Sequence, residues 1–185
     1  MARIGVINNY SSIKHALYMK NDCPLWIVMG QQEAWTNEAS PPSPTPGNAA
    51  VVQPIVAIRT TISSVASIVS QDVYNGLSDP NRAVAIIGAS TVYLQLVADA
   101  DAYSASAMYL WLEAMYDPII QGMPSFSTFR TYYVVSGLIP AAGYETALWL
   151  APTNITSYGN IEYENAGTAI NGGSAISIPV LLQFT

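Results

Sequence analysis

The chain has 185 residues, 51% of them hydrophobic and only 10% charged, where an ordinary soluble domain carries about 25%. Six Lys and Arg against twelve Asp and Glu give a net charge of −6, and the six cations are dispersed, which argues against the clustered basic surface that nucleic acid requires. No stretch reaches the ~18 consecutive apolar residues of a spanning helix, so insertion into a bilayer is not expected either.

The length fits a single β-rich domain over residues 1–185, with residues 1–23 as an N-terminal helical arm and residues 31–48 as a Pro-rich strap. A chain of this size can bury roughly 70% of its unfolded surface. A charge-poor exterior is best kept soluble by partners that cover it, which points to a subunit of a larger assembly. A secreted β-protein coated with Ser, Thr, Asn, Gln and Tyr is the alternative. The N-terminal residues lack an apolar core followed by a cleavage site, so synthesis and use in a cytosol are expected. Cys23 is the only cysteine, which excludes an internal disulfide.

Along the chain, Ser11 to Lys20 places Ile13, Ala16 and Leu17 at helical spacing behind a serine cap, predicting one short helix. Pro24 to Met29 is an unbroken apolar run of strand length, and Gly30 provides the freedom to leave it. Pro41, Pro42, Pro44 and Pro46 then fix φ and remove backbone donors, so this segment should be extended and unable to join a sheet interior. Trp35, with a large apolar ring and one N–H, is the residue expected to anchor it to a surface.

Val51 to Ile58 and Thr61 to Val69 are rich in Val, Ile, Ser and Thr and predict two strands. Asn75-Gly76 and Ser78 to Asn81 carry turn chemistry and predict a loop. Arg82 to Ile87 and Thr91 to Ala98 follow as strands, the second alternating Val92, Leu94 and Leu96 against Thr91, Tyr93 and Gln95. Residues 108–116 alternate in the same way and predict a strand, although their Ala, Met, Leu and Glu content also suits a helix over residues 101–116. Asp117-Pro118 ends either element. Tyr132 to Val135, Ala147 to Leu150, Asn160 to Tyr163 and Ser174 to Phe184 are short strands between glycines and prolines, which suggests an antiparallel β-sandwich. Pro179 makes the last of these an edge strand or places a bulge in it.

Reactive groups are sparse. His15 is the only histidine and cannot build a metal site with Cys23 alone, and no phosphate-binding glycine loop is present, so no catalytic residue, cofactor or metal is expected. Asp99-Ala100-Asp101 reads as a solvated polar loop rather than a calcium site. Glu113, Asp117, Glu162 and Glu164 could in principle pair for glycoside hydrolysis, but spacing alone places no two of them together. The abundant resource is aromatic: twelve Tyr and four Trp against three Phe, the preference of interfaces. Candidate partner-binding residues are Trp35, Pro41, Pro42, Pro44, Trp111, Trp149 and Pro179.

The order apolar strand, Gly30, Trp35, Glu38 and Pro41-Pro42-x-Pro44 resembles the N-terminal signature of the baseplate-wedge β-sandwich proteins of contractile-tailed bacteriophages. Gln31 stands where that signature usually has an arginine, so no role for an arginine there carries over. A second stretch, from Phe129-Arg130 through Tyr158 to Tyr163 and on to Ile178 to Phe184, is similar to the C-terminal part of short phage virion proteins. The resemblance implies a non-enzymatic virion subunit of the tail baseplate or neck, made in the host cytoplasm. Its partners would be other structural subunits and copies of itself, with no nucleic acid. A capsid decoration or collar protein would use the same physics, and a carbohydrate-binding β-sandwich, stacking Trp111 or Trp149 on sugars, is the alternative of another class.

Overall fold

The computed structural model describes residues 9–30, 34, 36–37, 51, 53–87, 90–119, 121–125, 128–165, 170–171 and 175–184. The protein is mainly β, with antiparallel sheets and a helix near its N-terminus, the sandwich-like class expected from the sequence. In chain order the elements are α1 (Tyr10–Asp22), β1 (Leu25–Gly30), β2 (Pro54–Arg59), β3 (Ile62–Val69), α2 (Gln71–Gly76), β4 (Arg82–Ile87), β5 (Ser90–Val97) and β6 (Tyr109–Tyr116). They continue with β7 (Thr128–Phe129), β8 (Thr131–Ser136), β9 (Ile139–Pro140), β10 (Trp149–Leu150), β11 (Ile155–Ser157), β12 (Asn160–Asn165), β13 (Ile170–Asn171) and β14 (Ile176–Gln183). The described residues fall into two compact units, one drawn from Met1–Asp22, Ile62–Leu112 and Val180–Thr185 and the other from Cys23–Thr61 and Glu113–Pro179.

In the second of these units a five-stranded sheet has the order β10-β2-β1-β8-β12. The apolar run predicted as a strand is its centre: all six residues of β1 are buried, with Ile27 opposite Ile58 on one side and Val134 on the other. Burial on both faces is what an uninterrupted apolar run permits, whereas an alternating strand would put polar groups into the core. One face carries a cluster of Trp26, Val28, Ala57, Tyr133, Val135, Leu138 and Leu150, and Val51, Ala147 and Tyr158 pack against it. Each large side chain buried there contributes roughly 1.5–3 kcal/mol. The Arg59 guanidinium stands 4.8 Å over the Trp26 ring. Ser136 pairs with Asn160 across β8 and β12, so residues 137–159 form an excursion that leaves and re-enters one strand pair. Within it β9 pairs with β11, and β10 returns to pair with β2.

The other unit is built on a five-stranded sheet of order β14-β6-β3-β5-β4; β6 and β14 each also have residues assigned to the unit just described. Helix α1 lies against β3 and buries Ser12, Ile13, Ala16 and Met19, one face of a helix by spacing. Tyr10 stacks on Tyr103 with ring centres 4.7 Å apart, the His15 ring lies 4.7 Å from Phe184, and Lys20 forms an ion pair with Asp99. A core cluster of Ala66, Leu94, Tyr109 and Trp111 gathers Ala83, Ala85, Val92, Leu96 and Leu181 around it.

Two segments depart from expectation. Asn75 and Gly76, expected to open a loop, instead close the short helix α2: the Ser70 hydroxyl accepts from the Val73 N–H at 3.3 Å, so the serine starts a helix before the Asn75-Gly76 turn chemistry can act. Asp99–Asp101 is a turn of 3-10 helix rather than an open loop: the Asp101 N–H donates to the Ala98 carbonyl at 2.9 Å and the Ala102 N–H to the Asp99 carbonyl at 3.3 Å, while Lys20 and Asn21 hold the Asp99 carboxylate. For residues 109–116 the strand wins over the helix, since Leu110, Leu112 and Ala114 are buried at strand alternation and Tyr109 and Trp111 are buried as well.

Candidate functional site

Trp35, Pro41, Pro42 and Pro44 of the strap lie outside the described residues, and of residues 31–48 only Ala34, Thr36 and Asn37 are described, all exposed. Gly30 closes the buried β1, and Val51 packs against the Trp26 cluster.

Trp111 is in the middle of β6 and only 5% exposed, enclosed by the Ala66–Leu94–Tyr109 cluster. Its ring fills core, and neither face is offered to a ligand in this conformation. Trp149 stands differently. It is half-buried on β10, a two-residue strand at the end of its sheet, and its indole N–H donates to the Gln121 carbonyl at 3.0 Å. Trp149 borders a cleft of about 460 Å³ together with Gln121, Tyr144, Ala147, Leu148 and Asn154. Leu148 is 59% exposed, which is high for a leucine beside an apolar hollow. Among the described lining residues the chemistry is two aromatic rings, two aliphatic groups and two neutral amides, without a charged group.

Pro179 is exposed in the middle of β14, which is the end strand of its sheet, as a proline in a strand requires. Ile178, Val180 and Leu182 turn inward and Ser177, Pro179 and Gln183 outward. At the opposite end of the same sheet lies an edge that sequence reasoning did not single out. β4 exposes Val84 (41%), Ile86 (77%) and Ile87 (47%), and only its first residue, Arg82, is charged. That guanidinium is already engaged, 2.9 Å from Asp79 and 5.0 Å over the Tyr74 ring. A run of small and branched apolar residues was visible in the sequence, but only the strand order makes it an edge.

Three of the four carboxylates considered for chemistry hold hydrogen bonds within the fold. Asp117 accepts from the Ile119 N–H at 2.9 Å, Glu162 accepts from the Ser136 hydroxyl, and Glu113 receives the Ser177 hydroxyl at 3.4 Å. Burial pushes the Glu164 carboxyl and the Tyr158 phenol above their ordinary values. Among the described residues no three His, Cys, Asp or Glu side chains gather as a metal site, and no helix is long and apolar enough to cross a membrane.

The family model described as baseplate wedge 3 tail fiber network component matches residues 5–178, nearly the whole chain. The chain belongs to this family. A comparison with curated proteins gives no match. As a baseplate wedge protein it is a structural component of a phage virion, with other baseplate subunits as its neighbours. The exposed apolar residues of β4 and of the Trp149 cleft are therefore the surfaces of a protein that works inside an assembly.

Proposed function

We propose that this baseplate wedge protein is a non-catalytic connector, holding neighbouring virion subunits by burial of apolar surface and by strand pairing rather than by turning over a substrate. The observation that carries this reading is the family match over residues 5–178. It also favours the baseplate over the neck, collar or capsid surface. The strap of residues 31–48 would dock on a neighbour through Trp35, with Pro41, Pro42 and Pro44 keeping it extended, and Pro179 would mark a second contact at the β14 edge, made by side chains because the proline has no N–H for a ladder. Copies of the chain itself are among the partners, and assembly takes place in the host cytoplasm.

The test is incorporation. Trp35→Ala should leave the chain folded by circular dichroism and deplete it from purified particles, and electron microscopy of particles carrying a labelled chain should place the label at the baseplate. A label at the neck or on the capsid, or an unaltered copy number in Trp35→Ala particles, would sink the reading.

The Trp149 cleft supports a second reading. Aromatic rings beside neutral amides suit a saccharide, whose apolar face stacks while its hydroxyls meet Gln121 and Asn154. Glycan binding by the isolated chain, lost in Trp149→Ala with the fold intact, would favour a receptor-binding role.

A further inference from the structure

Four strands end the two five-stranded sheets, and three of them are poor templates for another strand. β10 is two residues long, β12 carries Glu162 and Glu164, and β14 has Pro179 in its middle with no N–H to give. β4 has six residues, no proline, and no charge beyond Arg82.

Its hydrogen-bonding phase can be read. The Leu96 N–H donates to the Asn81 carbonyl at 2.9 Å, and the register pairs Arg82 with Gln95, Ala83 with Leu94 and so on to Ile87 with Ser90. In an antiparallel ladder, hydrogen-bonded pairs alternate with non-hydrogen-bonded ones. Ala83, Ala85 and Ile87 therefore direct their backbone groups to β5, while Arg82, Val84 and Ile86 direct theirs away from the sheet. Val84 and Ile86 also project to the same face, and both are exposed.

We propose that β4 pairs with β4 of a second copy of this chain, antiparallel about a two-fold axis through Ala85. The hydrogen-bonding phase and the side chains agree on this register. Val84 of each copy falls opposite Ile86 of the other, so the outward N–H and C=O groups of both residues exchange four hydrogen bonds across the axis. Ala83 falls opposite Ile87, placing a small residue beside a large one, and Ala85 meets Ala85 in a non-hydrogen-bonded pair. Shifting the centre to Val84 keeps the backbone in phase but sets Ile86, the most exposed of these residues, against Arg82. Self-pairing at Ala85 gives every exposed apolar residue of β4 an apolar partner, joining two five-stranded sheets edge to edge.

The inference concerns the isolated chain and does not rest on the particle role proposed above. In the non-hydrogen-bonded pair the two Ala85 Cα atoms would be about 4.5 Å apart, within the ~4.4–6.8 Å that a disulfide spans. With Cys23 replaced by Ser, Ala85→Cys should give a covalent dimer under mild oxidation, and Ala83→Cys should not. Light scattering on the unmodified full chain should read twice the mass of one chain. Ile86→Lys, at a 77% exposed position, should return it to a single mass and abolish the Ala85→Cys cross-link. Val84→Pro, which removes an outward N–H at an edge, should do the same. The proposal is overturned by a single-chain mass at the highest attainable concentration, by cross-linking at Ala83 equal to that at Ala85, or by dimers that survive both edge variants. A chain that is monomeric but loses particle incorporation in Ile86→Lys would likewise overturn it, and would assign the edge to a different virion subunit.

Discussion

A Cβ built on Gly159 would stand 2.1 Å from the carbonyl oxygen of Ser136, closer than non-bonded atoms can come. The contact lies where the excursion of residues 137–159 closes, one residue before Asn160 resumes pairing with Ser136. Gly159 also has φ of +69°, a region that costs a side chain roughly 1–2 kcal/mol before any clash. Gly159→Ala should therefore lower stability by more than ~2 kcal/mol. Gly143→Ala, at φ +89° but with nothing near the added Cβ, should cost only about half as much. Urea midpoints of the two variants make the comparison.

Trp111 and Trp149 should separate in their effects. Trp111→Ala removes a buried ring from the Ala66–Leu94 cluster and is expected to cost about 3–5 kcal/mol. Trp149→Phe keeps most of the ring and loses the hydrogen bond to Gln121, a change of about 1 kcal/mol. Chemical denaturation checks both. It follows that loss of any binding in Trp111→Ala would report unfolding, and Trp149 is the informative position.

Tyr158 packs its ring against the Trp26 cluster, and its hydroxyl is buried with no hydrogen-bond partner among the described residues. Burial accordingly raises its phenol above the ordinary value. Tyr158→Phe removes an unsatisfied polar group while keeping the ring, and should be neutral or stabilising by up to ~1 kcal/mol in a thermal melt.

At Asp99, burial alone would raise the carboxyl, but hydrogen bonds from Lys20 and Asn21 and the Lys20 charge outweigh it and hold the group below its ordinary value. A depressed carboxylate contributes stability above its unfolded-state value, and that contribution is lost as pH falls through the folded-state value. The side chains of Lys20 and Asp99 are 21% and 39% exposed, so solvent screening keeps the contribution under ~1 kcal/mol. Lys20→Met should be slightly less stable than the parent at neutral pH, with the difference vanishing in acid once the Asp99 carboxylate is protonated. Denaturant midpoints at the two pH values test it.

Elements with a strong local signal were legible in the sequence. The apolar run Leu25 to Met29 became the buried central strand, alternation in residues 91–97 and 109–116 became β5 and β6, and Pro179 marked an edge. Strands of two or three residues, such as β7, β9, β11 and β13, left no periodicity to read, because fewer than four residues cannot show an alternation. The helix at Gln71–Gly76 was hidden by Asn75-Gly76, turn chemistry that suits the end of a helix as well as a loop. The family signature in residues 25–44 was also readable, since it depends on residue types in order and on no contact.

The sequence by itself determined a charge-poor, Tyr- and Trp-rich, mainly β chain with few reactive groups, because composition and period-two alternation act through local chemistry. It could not say which tryptophan fills a core and which borders a cleft. Trp111 and Trp149 sit in similar apolar surroundings along the chain, and only the packing around each separates them. Nor could it say that Val84 and Ile86 turn their backbone groups to the outside. That depends on which strand takes the end of a sheet and on the phase of its ladder, and both are set by pairing between segments distant in sequence.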